Sequence, residues 1–247
     1  MTVMSDKEFH KLTEHEIKRF IALFDKMKEE FFPAGELPAL ATTVPPWGRL
    51  YELTFLELVT AAVVTLDLTG EVVAASQGAN PQATILSLAE DGEPMEPRDG
   101  AEITTSVLFA ALHSLRAISK YQVPISELVA DASTGNLESA LKAVRLDPQA
   151  LYAQPIAELH CKALMTRDIN VLKKFASALS GKLPRLPADS RDNMRAVVHL
   201  LEDAGAIQHM TVEALRQLVV DRLLVYPTDG LDAARAEWRA AKKRRGD

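Results

Sequence analysis

The chain has 247 residues, 47% of them hydrophobic and 25% charged, with 28 Lys and Arg against 34 Asp and Glu for a net charge of −6. Length and composition suit a globular protein with a sizeable core, and no apolar run reaches the roughly 18 residues a membrane helix needs. One cysteine, Cys161, excludes an internal disulfide and a multi-cysteine zinc site.

The start, Met1 to Glu8, lacks the apolar core of a signal peptide, so a cytoplasmic, bacterial-type protein without a membrane partner is the simplest expectation. Charge is uneven. Residues 1–100 carry 8 basic against 17 acidic side chains, and residues 101–247 carry 20 against 17. An acidic N-terminal helical part (1–100) is therefore separated from a helical C-terminal part (101–247), as one compact domain or two tightly packed halves. The acidic part argues against a general nucleic-acid binder.

In chain order, Thr13 and Glu16 have the spacing of a capping box. They open a helix with Ile17, Phe20, Ile21, Phe24, Met27 and Phe31 on one face. Four prolines between Pro33 and Leu50 predict an irregular connector, which Trp47 locks by burying its ring. Thr54 and Glu57 repeat the capping-box spacing. The apolar stretch after them is read as a buried helix to about Leu66, with a small β-hairpin at 63–75 around Thr69-Gly70 as the alternative. Asn80-Pro81 predicts a further helix start, and the acidic run from Glu90 to Gly100, with two prolines, a surface loop.

Ile103 to Ile118 predicts a helix with Ile103, Val107, Leu108, Ala111, Leu115 and Ile118 on one face, placing His113 on another, at the surface. From Pro124 to Leu224 caps and stops alternate. Asn136, Asp147, Asp168 and Thr211 are expected to cap helices, and Gly135, Gly181 and Gly205 to end them. Thr134-Gly135-Asn136 and Thr166-Arg167-Asp168 lie 32 positions apart, an interval suiting a two-helix unit. Two such units are fewer than a solenoid needs, so the fold class expected is mainly α, an irregular multi-helix bundle. A C-terminal helix from Leu231 docks through Leu231, Ala234 and Trp238, leaving Lys242 to Arg245 in water.

Chemistry-bearing motifs are few. No phosphate loop, dinucleotide fingerprint, GxSxG elbow or HExxH occurs. Ser139 and Lys142 match SxxK without its partner motifs. His160 and Cys161 are neighbours about 100° apart on a helix, with Cys161 placed inward and His160 outward. His199 and Asp203, and His10 and Glu14, stand at i, i+4 as surface pairs. No catalytic residue, cofactor or metal ligand is assigned.

The first functional reading is a non-catalytic interaction protein, an adaptor or regulatory subunit binding another protein or itself. The second is a DNA-binding regulator using helices within 190–245, with Arg216, Lys242, Lys243, Arg244 and Arg245 as the nucleic-acid contacts. The third is an enzyme or small-ligand binder with its site between the halves.

Overall fold

The computed structural model describes residues 14–31, 47–77, 101–181, 190–223, 225–227 and 230–244. Its helices are α1 (Glu14–Phe31), α2 (Trp47–Leu50), α3 (Phe55–Thr65), α4 (Thr69–Gln77), α5 (Ala101–Tyr121), α6 (Ile125–Ser133), α7 (Leu137–Leu146), α8 (Gln154–Met165), α9 (Ile169–Leu179), α10 (Ser190–Asp203), α11 (Val212–Arg216) and α12 (Leu231–Arg244). Short 3-10 turns cover Pro148–Tyr152 and Ile207–His209, and α11 widens into a π-helical stretch, Gln217–Arg222. The fold is all-α among the described residues. The Thr13 cap, the 33–46 connector, the Trp47 ring, His10, the Asn80-Pro81 start, the 90–100 loop and Arg245 lie outside them.

The β-hairpin at 63–75 is not formed. Leu66 N–H donates to Ala62 O (3.0 Å) and Leu68 N–H to Val63 O (3.0 Å), closing α3 as a helix before α4 begins. The β-branched run therefore sits in helices joined by a three-residue turn, with Asp67 at φ 59°. No single helix among the described residues is long and apolar enough to cross a membrane.

Two compact units divide the chain: Met1–Thr43 with Val59–Val107, and Val44–Leu58 with Leu108–Asp247. In the first, Phe24 and Met27 of α1 are buried as the sequence periodicity predicts, as are Ala61, Ala75 and Val107. Thr104 Oγ1 donates to Thr65 O at 3.2 Å.

The second unit is built on two helical hairpins. α6 packs against α7 and α8 against α9, while α6 also meets α8 and α7 meets α9, so one hairpin stacks on the other. Ile125, Leu128, Val129, Ala140, Val144 and Leu146 fill the first hairpin, and Ile156, Ala163, Phe175 and Ala178 the second. Each large aliphatic or aromatic side chain fully buried this way stabilises the fold by about 1.5–3 kcal/mol. A separate core of Met194, Val198, Ile207, Leu215, Val219, Ala234 and Ala241 joins α10, α11 and α12.

Segment 47–58 belongs to this unit and exchanges helix caps with it. Thr54 and Glu57 form the expected reciprocal capping box: Thr54 N–H donates to Glu57 Oε2 (2.9 Å) and Glu57 N–H to Thr54 Oγ1 (3.2 Å). Asp203, at the end of α10, accepts from Leu56 N–H at 3.0 Å in the first turn of α3. Glu52 in turn accepts from Gln154 N–H at 3.1 Å, capping α8, whose own Ala153 has no side chain for that role. At Gly48 a Cβ would stand 2.1 Å from the Tyr152 carbonyl oxygen, so only glycine lets α2 reach the Pro148–Tyr152 turn.

Candidate functional site

The two hairpins share one turn. Gly135 (φ 89°) donates its N–H to Ala132 O (2.9 Å), and Asn136 N–H donates to Asp131 O (3.4 Å). Thirty-two positions on, Arg167 (φ 55°) donates to Leu164 O (3.2 Å), and Asp168 N–H to Ala163 O (2.9 Å). These are the paired bonds of a Schellman ending. Each turn then launches the next helix from a side-chain cap. Asn136 accepts from Ser139 N–H, and Asp168 from Asn170 and Val171 N–H. The 32-residue interval in the sequence is thus a structural register.

Read in that register, the hairpins differ in cover. Val129, Ala132, Ala140, Leu141 and Val144 are buried in the first. Their counterparts Cys161, Leu164, Lys173 and Ala176 are exposed in the second, and Leu172 is half-buried. Leu164 (52% exposed), Met165 (86%) and Ile169 (56%) cluster about the α8–α9 turn, and Leu179 (39%) closes α9. Cys161 is therefore outside rather than inside, and His160 is half-buried with its ring edge-on to Phe175 at 5.0 Å. That reverses the sequence expectation for the pair.

Two titratable clusters lie within the same unit. Asp147 caps the Pro148–Tyr152 turn as expected, accepting from Gln149 N–H at 2.9 Å through Oδ1. Its Oδ2 also accepts from Tyr51 Oη at 2.5 Å and lies 3.2 Å from His113 Nε2. All three residues are buried, so His113 is not the surface residue its helix face suggested. Arg116 Nη1 stands 3.4 Å from His113 Nδ1. Because a guanidinium only donates, Nδ1 is the acceptor in that contact, and Nε2 is the nitrogen that faces Asp147. Burial pushes His113 below the ordinary histidine range, against the pull of the Asp147 carboxylate, and Arg116 adds to the lowering. Burial also pushes the Tyr51 hydroxyl far up, with the Asp147 charge adding to it. The Phe109 ring stacks over His113 at 6.5 Å. A buried carboxylate that accepts from Tyr51 and Gln149 and faces His113 holds the end of α2, α5 and the α7 terminus together.

The second cluster centres on His199. Its Nε2 lies 3.1 Å from Gln122 O and its Nδ1 3.1 Å from Glu202 Oε2, with Glu127 Oε1 at 3.7 Å. Burial alone would raise the Glu202 carboxyl, but hydrogen bonds and charge from His199 and Arg244 hold it below the ordinary glutamate range. His199 is thus buried and bonded to Glu202, while Asp203, its expected surface partner, caps α3.

The basic residues singled out as nucleic-acid contacts fall on different supports. Arg216 Nη1 holds both oxygens of Asp221 (3.1 and 3.0 Å), and Arg244 grips Glu202 through two bonds (3.0 and 2.7 Å). Lys242 lies over the Trp238 ring and donates to Gln208 O, and Lys243 is exposed. The tail expected to stand in water is in part bound back to α10. Ser139 donates to Asp131 while Lys142 sits over Tyr121, so the SxxK pair is not joined. No group of three or more His, Cys, Asp or Glu converges on a metal position among the described residues.

No family model matches the chain, and no curated protein or solved structure matches it significantly.

Proposed function

We propose that this protein acts without catalysis, as a helical module that binds another protein through the uncovered end of its second hairpin. The observation that carries this reading is the group Leu164, Met165 and Ile169, large apolar side chains left exposed about the α8–α9 turn. Contiguous exposed apolar surface of this kind marks interaction sites on soluble proteins, whereas single exposed residues do not. The Tyr51, His113 and Asp147 cluster is buried, and its contacts are those of a structural lock.

The DNA-binding alternative draws less support. Arg216 and Arg244 are engaged by Asp221 and Glu202, and releasing them to phosphates would leave carboxylates exposed toward the same polyanion.

The test is affinity capture from the native cell with the full chain beside the Leu164→Asp and Ile169→Asp variants, each checked for unchanged helix content. A partner retained by the parent and lost from both variants supports the reading. Identical partner sets on all three baits overturn it.

A further inference from the structure

We infer that the open end of the second hairpin receives an acidic, amphipathic helical element of another protein. That element seats on α8 and α9 much as the second hairpin itself seats on the first. The inference rests on the docking reading above and specifies the partner's chemistry.

In a stack, the face that one unit turns to the next recurs in the following unit. Both helices of the first hairpin meet the second, so positions buried in the first and exposed or half-buried one register later point to where a further element would seat. Cys161, Leu164, Leu172, Lys173 and Ala176 are those positions. They form an apolar field with one cation in it, because Lys173 stands where the first hairpin has the buried Leu141. Covering an ammonium group is unfavourable unless a carboxylate meets it.

Charge balance points the same way. Residues 124–147, the first hairpin, hold two basic and four acidic side chains, whereas residues 154–181 hold four basic and two acidic. The second hairpin is thus a basic unit resting on an acidic one, and an acidic element complements its free end. A second copy does not. A two-fold contact presents the same patch from both sides, so it would set Lys173 and its basic surroundings against themselves.

The probe is a synthetic amphipathic peptide with leucines along one face and glutamates on its flanks, beside a version with lysines in place of the glutamates. Binding to the full chain is read by fluorescence anisotropy. The alkylation rate of Cys161, the single cysteine, serves as the local readout. The glutamate peptide is expected to bind at least about tenfold more tightly than the lysine peptide and to slow alkylation. Lys173→Glu should invert that preference while circular dichroism stays unchanged.

Equal affinities, no binding of either peptide, or binding without protection of Cys161 would overturn the inference. So would a dimer seen by light scattering that Leu164→Asp dissolves, since a second copy would then occupy the face. Native partners lost from Leu164→Asp, with no preference between the peptides, would leave docking standing and remove only its acidic specificity.

Discussion

The first and second hairpins are built alike and finished differently. Both turn through a left-handed residue, at Gly135 and Arg167, and both restart from a carbonyl-bearing side-chain cap. The first buries Val129, Ala140 and Val144, and the second leaves Cys161 and Ala176 in water. Local sequence specifies the unit; what lies next to the unit decides whether its apolar face is core or surface.

The largest expected effect tests that difference directly. Val144→Asp should cost about 3–5 kcal/mol, because it buries an unpaired carboxylate. Ala176→Asp, at the same register, should stay within about 1 kcal/mol, the scale of a helix-propensity change on a solvated face. Urea denaturation of the two variants checks the pair, and equal losses would mean the second face is covered. Next comes Gly48→Ala on the covered side. Its Cβ would meet the backbone of Tyr152 and Ala153 at 2.1 to 2.9 Å, and about 2–4 kcal/mol should be lost in thermal unfolding.

The shared turn offers a smaller comparison. A Cβ at Gly135 meets nothing within 4 Å, so Gly135→Ala isolates the cost of the left-handed backbone, about 1 kcal/mol. Arg167→Gly should act in the opposite sense, relieving the same conformation and stabilising the chain by up to about 1 kcal/mol. The smallest effect concerns pH. His113 has its folded value depressed below its ordinary 6.5, so the unfolded chain takes up the proton first. Stability should fall as pH drops below about 6.5, ending at the depressed folded value, and His113→Asn should flatten that limb of a urea-midpoint profile against pH.

What the sequence made legible was whatever is encoded within a few residues. The Asn136, Asp147, Asp168 and Thr211 caps bind the amides expected of them, and Thr54 with Glu57 closes its box. Glycine announced the turns at 135 and 205. The matching left-handed residues Asp67 and Arg167 carry no such mark, which left a hairpin at 63–75 open as an alternative.

Histidines were misread for a related reason. Periodicity gives the face of a helix but not its neighbour. Asp147 looked like a cap and nothing more, while Tyr51, which completes its site, lies 96 residues away. At Cys161 the error ran the other way. An apolar register position reads as core, and only the end of the stack makes it surface.

The clasp formed by segment 47–58 bears on the order of folding. Its bonds to Asp147, Gln154 and Asp203 span 96, 102 and 147 residues, whereas the two hairpins close over short turns. Chain-closure entropy favours the hairpins as the early nucleus and leaves the clasp to arrive after the rate-limiting barrier. A loss inside the clasp, as in Tyr51→Phe, would then leave the refolding limb of a chevron where it was and raise the unfolding limb. The lifetime of the native state, rather than the speed of reaching it, would rest on a dozen residues that precede the hairpins in the chain and join them last.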